Sequence, residues 1–244
     1  MGLCGEVRRA CAEIAESARF VSIDMTKLGV IAPSGPPALD RERHYLEGSR
    51  EDVAAYLLTL DSINFGSGWF PTLCKRPGAS GYYTIAWALA DRFRSKGPWS
   101  SAELLELDAA TVASVLEQEP DHELMDLYAR ALNDLGRFLG DRTALEVVEN
   151  AGGSAERLAE DLAGGMPCYD DRDFYKRAQI VPNDLQLAGI STFEDIDSLT
   201  IFADNLVPHV LRVDGVLRYH PSLADRIDRE ELLPPGEEER EIRA

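Results

Sequence analysis

The chain has 244 residues, of which 45% are hydrophobic and 28% charged, and this is enough to bury one sizeable core. Acidic residues outnumber basic ones by 43 to 25, so the formal net charge is −18. Because polynucleotide binding depends on Lys and Arg side chains that neutralise phosphates, this charge argues against DNA or RNA as a partner, although a locally basic pocket could still bind a small anion. No apolar run reaches the roughly 20 residues of a membrane span, and the N-terminus lacks the apolar core of a signal peptide.

The cysteines and histidines predict neither a metal centre nor a disulfide framework. Cys4, Cys11, Cys74 and Cys168 form no CxxC pair, and the four histidines form no HExxH cluster. We therefore expect no metal or other cofactor. Reduced thiols are typical of a cytoplasmic protein.

The first elements of the chain read as a helix followed by two short strands. Apolar residues recur on one face of residues 5–19, which is the pattern of a core-facing helix. The segments FVSID (20–24) and LGVIA (28–32) are candidates for strands, and the turn-rich PSGPP follows them.

A second helix is predicted to begin near Ser49, because Ser49 and Asp52, three residues later, together resemble a capping box. Its apolar face leads into LDSINFGSGWFP (60–71), which we expect to be held as a loop by Gly66, Gly68 and Pro71.

Further helices are predicted along the middle of the chain. Residues 81–93 are periodic, Ser100 and Glu103 form a second capping-box signature, and residues 123–139 form the clearest amphipathic helix, ending at Gly140. Another short helix begins at Ser154 and stops at the glycine pair 164–165.

The remainder of the chain, from residue 171, predicts several short helices. They are separated by Pro182, Gly189, Pro208 and Gly215. The acidic tail (232–244) is expected to be solvated or loosely packed. We expect one mainly helical domain over residues 1–244, with a few short strands.

The segment LDSINFGSGWFP is the first candidate for chemistry. Asp61 and Asn64 are polar residues on or beside an apolar helical face, and Phe65, Trp69 and Phe70 follow at once. Buried polar groups require hydrogen-bond partners, which a flat heterocycle stacked on an aromatic ring would supply at its edge. The alternative is that Asn64 caps the helix and the aromatic residues are ordinary core.

The second candidate is FYKRAQI (174–180). Lys176 and Arg177 form an adjacent basic pair among aspartates, and two cations beside two aromatic residues could receive a phosphate. Alternatively, they balance the local carboxylates on a solvated face. His44, which precedes the second helix beside Tyr45, is a lesser candidate, and a lone histidine there is more often structural.

Asp204 is the third candidate. It follows the apolar residues of SLTIFA, so its carboxylate is either an N-cap for a helix that begins near Leu206 or a functional acid.

Together these stretches resemble the queuosine-salvage glycosylases. The resemblance rests on three long blocks, HY…LDSINFGSGWFP, FYKRAQIVPNDL and FEDIDSLTIFADNLVPHVLRVDGVLRY, which are ordered and spaced as in that family and cover most of residues 20–243. It implies a mostly helical fold similar to helix-hairpin-helix DNA glycosylases. It also implies hydrolysis of the N-glycosidic bond of queuosine 5′-phosphate, which releases queuine for tRNA modification. The family continues past EIRA into a further helical segment, so the resemblance leaves open a short member or a pocket that lacks one wall.

The resemblance also implies roles for the candidate residues. Asp204 would stabilise the sugar cation, with its apolar flanks excluding water. The base would meet Asp61 and Asn64 at its edge and Phe65 and Trp69 as stacking surfaces. The phosphate would meet Lys176, with Arg177 or His44. Two rival hypotheses remain, a nucleosidase for other nucleotides and a non-catalytic helical module that binds a modified nucleoside or a protein partner.

Overall fold

Helices dominate the computed structural model, which describes residues 2–30 and 38–244. Within those residues the strands form one antiparallel pair. The predicted mainly helical class with a few short strands is therefore confirmed, and the likeness to helix-hairpin-helix glycosylases stays a prediction. In chain order, the helices are α1 (Leu3–Ser17), α2 (Arg50–Ser62), α3 (Gly81–Lys96), α4 (Ser101–Leu105), α5 (Ala109–Leu116), α6 (Glu123–Leu139), α7 (Ala144–Asn150), α8 (Ala155–Gly165), α9 (Lys176–Leu187), α10 (Leu206–Val213), α11 (Pro221–Asp228) and α12 (Glu237–Arg243).

The chain divides into two compact units. The first takes in residues 2–30, 172–176 and 200–244, and the second takes in residues 38–171 and 177–199. The expectation of one domain over the whole chain stays a prediction.

The first unit contains the two strands, β1 (Val21–Ile23) and β2 (Leu217–Tyr219), which pair in antiparallel register. Helix α12 packs against both α1 and β1, and α10 packs against β2.

The second unit is centred on α2 and α6. These two helices are in contact, and each carries fully buried side chains, as Tyr56 and Leu57 on α2 and Tyr128 and Leu135 on α6 illustrate. Helices α4 and α5 pack on α6, α7 packs on α2, and α3 packs on both α2 and α5.

Local helix signals in the sequence are confirmed. Capping boxes join Ser49 to Asp52 and Ser100 to Glu103, and in each the side-chain oxygen of the serine accepts the backbone N–H three residues later. Helix α6 spans the predicted residues, and Gly140 follows it with a φ of 57°. Ser154 caps α8 in the same way.

Two expectations for the first third of the chain are wrong. The first three residues of LGVIA do not form a strand, because they belong to the 3-10 helix Met25–Val30. The last two residues of LGVIA and the whole of PSGPP lie outside the described residues. The turn is started by Asp24, whose Oδ1 accepts the N–H of Thr26 at 3.0 Å. The loop predicted around Gly66, Gly68 and Pro71 is also partly helical, because Ser67–Thr72 forms a 3-10 helix.

Neither Pro182 nor Pro208 separates helices. Pro182 lies inside α9, in a stretch where Ala178, Val181 and Leu185 are all completely buried, so packing offsets the lost backbone hydrogen bond. Pro208 is the third residue of α10, in the first turn, where the backbone N–H has no partner within the helix.

The expectation of a solvated or loosely packed tail at 232–244 is wrong for its last part, although most of residues 232–237 are exposed. Residues 237–243 form α12, and Glu241 is only 6% exposed. Its carboxylate accepts the backbone N–H groups of Arg19, Phe20 and Val21 at 2.9, 2.6 and 2.9 Å. A residue that looks like part of a charge run therefore binds three backbone donors at the start of β1.

The four cysteines are free thiols in different surroundings. Cys74 is exposed, Cys4 is buried, and Cys11 and Cys168 lie between these extremes. Burial raises the pKa of Cys11 above its ordinary value and raises the pKa of Cys168 to about 11. None of the described helices combines the length and apolar character that crossing a membrane requires.

Candidate functional site

The end of α2 brings two predicted site residues together in the second unit. Asp61 is completely buried, and Asn64 lies half-buried just past the last residue of the helix. The side-chain nitrogen of Asn64 lies 3.4 Å from Oδ1 of Asp61. The two polar side chains therefore lie side by side at the end of α2.

Tyrosines surround Asp61 in this unit. Burial, followed by the negative charge of Asp61, raises the pKa of Tyr82 and of Tyr169 well above the ordinary value. Burial is also the main cause of a raised pKa at Tyr56, with Asp61 and Asp184 contributing. All three phenols therefore stay protonated at neutral pH and can take part in hydrogen bonds as neutral groups.

His44 is only 2% exposed and has a hydrogen-bond partner on each ring nitrogen. Nδ1 lies 2.8 Å from the carbonyl oxygen of Asp40, and Nε2 lies 3.0 Å from the hydroxyl of Tyr82. A carbonyl oxygen only accepts, so the ring proton belongs on Nδ1. Burial lowers the pKa of His44, partly offset by Asp40, which favours the neutral ring. Tyr82 must then donate its proton to Nε2.

Phe65 and Arg177 are in direct contact. The guanidinium carbon of Arg177 lies 4.5 Å from the centroid of the Phe65 ring and 5.8 Å from that of Tyr169. Its Nη1 donates to the carbonyl oxygen of Ser62 at 3.3 Å. The alternative in which Arg177 balances carboxylates on a solvated face is wrong, because its side chain lies half-buried on aromatic rings.

Trp69 is half-buried on the 3-10 helix Ser67–Thr72. Its indole N–H donates to the carboxylate of Glu123 at 3.3 Å, which ties this short helix to the start of α6. The turn before it requires glycine, because Gly66 has a φ of 88°.

Lys176 belongs to the first unit and is half-buried. The backbone leading to it is unusual, since Asp173 and Tyr175 both adopt positive φ angles of 75° and 47°. Two contacts within the first unit hold this stretch: Arg240 donates to Asp173 at 2.6 Å, and the hydroxyl of Tyr175 donates to Glu6 at 3.2 Å.

Asp204, also in the first unit, caps α10. Its Oδ1 accepts the backbone N–H groups of Leu206 and Val207, both at 2.9 Å, so the capping interpretation is confirmed. Asp204 also lines a cavity of about 570 Å³, within the range of small-molecule sites. Phe174, Phe202 and Arg243 are among the other residues that line it. The carboxylate thus combines a fixed orientation with access to a cavity.

The apolar residues beside Asp204 shield it less than expected. Ile201 is 73% exposed and Leu206 is 62% exposed, so the expectation that the flanking sequence excludes water is wrong for these two. Within the first unit, Phe202 and Val207 are half-buried and line the same cavity as Asp204.

Sequence reasoning missed several residues that build these positions. Tyr82 and Tyr169 carry no periodic signal that separates them from ordinary core tyrosines, and Ser62 was hidden within the helix pattern. Asp184 and Gln179, at 7% and 0% exposure, could have been found as polar residues on the buried face of α9. Among the described residues, no group of three or more His, Cys, Asp or Glu side chains is arranged to hold a metal ion.

Comparison with known proteins identifies relatives over nearly the whole chain. The family model described as queuosine salvage protein matches residues 44–244. Three curated relatives bear the name queuosine 5′-phosphate N-glycosylase/hydrolase. The protein from Sphaerobacter thermophilus is 36% identical over 95% of this chain and 79% of its own length. Those from Mus musculus and Bos taurus are 32% and 30% identical, over 80% and 97% of this chain and 65% and 80% of their own lengths.

Proposed function

Because the chain belongs to the queuosine salvage protein family, we propose that it hydrolyses the N-glycosidic bond of queuosine 5′-phosphate and releases queuine. The family match over residues 44–244 carries this proposal, since that range includes every candidate site residue from His44 to Asp204. The name shared by the relatives from three organisms supports the same reaction.

Asp204 is the proposed catalytic residue. When the bond between the sugar and the base breaks, positive charge develops at the anomeric carbon and its ring oxygen. A carboxylate held beside that carbon stabilises the charge, and it also orients the attacking water. The two backbone N–H groups that bind Oδ1 support this role, because a carboxylate held in place needs no reorganisation during the reaction.

The reaction balances with water alone. The water oxygen bonds to the anomeric carbon, the carbon–nitrogen bond breaks, and its electron pair goes to the departing base. One proton of the water is lost and the base gains one, so the products are ribose 5-phosphate and queuine. Asp204 is the proposed acceptor of the water's proton.

The base and the phosphate are proposed to meet different side chains. Asp61 and Asn64 are proposed to contact the base edge, and Trp69 to stack on the ring. Queuosine carries a cationic secondary amine, which suits the acidic character of Asp61.

Lys176 and Arg177 are proposed to bind the phosphate. We assign no phosphate contact to His44, because both of its ring nitrogens already have partners in the second unit.

A direct assay tests this proposal. Purified protein is incubated with queuosine 5′-phosphate, and free queuine is followed by mass spectrometry, with the 5′-phosphates of adenosine and guanosine in parallel. We expect release from the queuosine nucleotide only. Equal release from all the nucleotides would indicate a general nucleosidase, and no release from any would indicate a binding module.

We also propose that the reaction takes place in the cytoplasm on free nucleotide. The net charge of −18 opposes binding to a nucleic-acid polymer, and the free thiols suit a reducing compartment.

A further inference from the structure

Arg177 is held against two aromatic rings of the second unit. Its guanidinium carbon lies 4.5 Å from the Phe65 ring centroid and 5.8 Å from that of Tyr169. A cation over a ring is attracted by the negative face of the π system. Phe65 is itself fixed by an edge-to-face contact with Tyr128, whose hydroxyl donates to the Phe65 carbonyl at 2.9 Å.

The second ring is fixed by hydrogen bonds of defined direction. The hydroxyl of Ser62 donates to the carbonyl oxygen of Leu58 at 2.8 Å, so its single proton is used. The 3.3 Å contact between Ser62 and Tyr169 therefore has Tyr169 as the donor. The backbone carbonyl of Ser62 also accepts a hydrogen bond from Arg177. Ser62 therefore connects the guanidinium of Arg177 to α2 and to the Tyr169 ring.

The charge of Arg177 has no carboxylate counterpart among the described residues of the second unit. Arg76 and Arg94 of the same unit each pair with two carboxylates. Arg177 has five N–H donors, and its hydrogen bond to the Ser62 carbonyl uses one of them. A half-buried guanidinium in a strongly acidic chain, held by rings rather than by acids, suits an anionic ligand, and its planar fork matches a phosphate.

We propose that Phe65 is a positioning residue, which holds Arg177 for the 5′-phosphate of the substrate instead of stacking on the base. This rests on the proposed function. Arg177 already covers one face of the Phe65 ring, and Tyr128 makes an edge-to-face contact with the same ring.

Substitution of Phe65 separates the two roles. Phe65→Leu removes the ring, and we expect the KM for the 5′-phosphate to rise about fivefold, within the range of cation–π contacts, with kcat and the KM for the unphosphorylated nucleoside changed less than about twofold. Phe65→Tyr keeps a ring face and should behave as the wild type. A residue that stacks on the base would instead raise both KM values together.

Arg177→Gln should raise the KM for the 5′-phosphate more, by about tenfold or above, as expected for loss of a charge-assisted contact. If Phe65 acts through Arg177, the double variant is no worse than Arg177→Gln alone. Arg142→Gln is the matched control, because Arg142 also lies over a phenylalanine, Phe138, at 4.7 Å. It should leave both KM values unchanged.

Two outcomes would overturn the inference: an equal rise in both KM values for Phe65→Leu, or additive effects in the double variant. Thermal unfolding of each variant shows whether it folds, and Phe65→Met, which also removes the ring but keeps a large apolar side chain, replaces Phe65→Leu if that variant does not fold. If the wild type releases no base, the proposed function fails, and titration with inorganic phosphate by calorimetry then decides the inference. Weaker phosphate binding by Phe65→Leu and by Arg177→Gln than by the wild type supports the inference, and equal binding by all three proteins refutes it.

Discussion

Asp204 and Asp61 are both proposed to contact the substrate, yet their carboxylates have opposite surroundings. Asp61 is completely buried in the second unit, where burial and, after it, the charge of Asp61 raise the pKa of Tyr82 and Tyr169. Asp204 is half-exposed in the first unit, where two backbone N–H groups at a helix start hold it beside a cavity. Asp61 is thus part of the core of the second unit. Asp204 is held by backbone N–H groups, so its substitution should affect the reaction more than the stability of the fold.

The largest expected effect is on turnover. Asp204→Asn removes the charge but keeps an oxygen that can accept the N–H groups of Leu206 and Val207, so the helix start should survive. We expect kcat for base release to fall about 10³-fold, the scale of losing one preorganised electrostatic contact, with substrate binding largely intact. Single-turnover release measured by mass spectrometry checks this.

Asp24→Asn is the matched control. Asp24 also belongs to the first unit and caps a local turn through Thr26, but it is not among the residues that line the cavity. Normal turnover by the Asp204 variant would remove this residue from the mechanism and end the contrast between the two acids.

For the stability of the fold we expect the opposite order, with the substitution of Asp61 costing more than that of Asp204. Asp61→Ala removes a completely buried polar side chain and leaves Asn64 without that contact, so we expect the free energy of unfolding to fall by about 3 kcal/mol. Asp204→Ala removes a helix cap and should lower it by about 1 kcal/mol. Urea unfolding followed by circular dichroism measures both. A smaller loss for the Asp61 variant would contradict the assignment of Asp61 to the core.

The smallest expected effect concerns Lys176, which lies in the first unit with Asp204. Lys176→Ala should raise the KM for the 5′-phosphate about tenfold, equivalent to about 1.4 kcal/mol, and change the KM for the nucleoside less than about twofold. Steady-state kinetics with both substrates gives the ratio, and exposed Lys75→Ala is the control. Equal changes for the two substrates would show that Lys176 does not contact the phosphate.

Signals confined to a few neighbouring residues predicted the structure well. Capping boxes at Ser49 and Ser100, and the amphipathic pattern of α6, depend on contacts three or four residues apart, which the sequence displays directly. The errors come from long-range contacts. Pro182 is accommodated because its helix is buried, and Glu241 is buried because backbone donors more than 200 residues away bind it.

The candidate site follows the same division. The position of Asp204 at the start of a helix was foreseeable, because polar residues before an apolar helix often cap it. The place of Arg177 on Phe65 was not, since 112 residues separate them and only the packing of α9 in the second unit brings them into contact. The aspartates near Arg177 in the sequence left a solvated face open as an alternative to phosphate binding.

The uneven exposure of the four thiols offers a handle for spectroscopy. The raised pKa values of Cys11 and Cys168 leave little thiolate at pH 7.5, and Cys4 is buried, so a maleimide dye should attach to Cys74 alone. Cys74 follows the short helix that carries Trp69. The fluorescence of a dye on Cys74 would therefore report ligand binding at that segment without any engineered cysteine. Mass spectrometry should find one dye per chain, and none after Cys74→Ser.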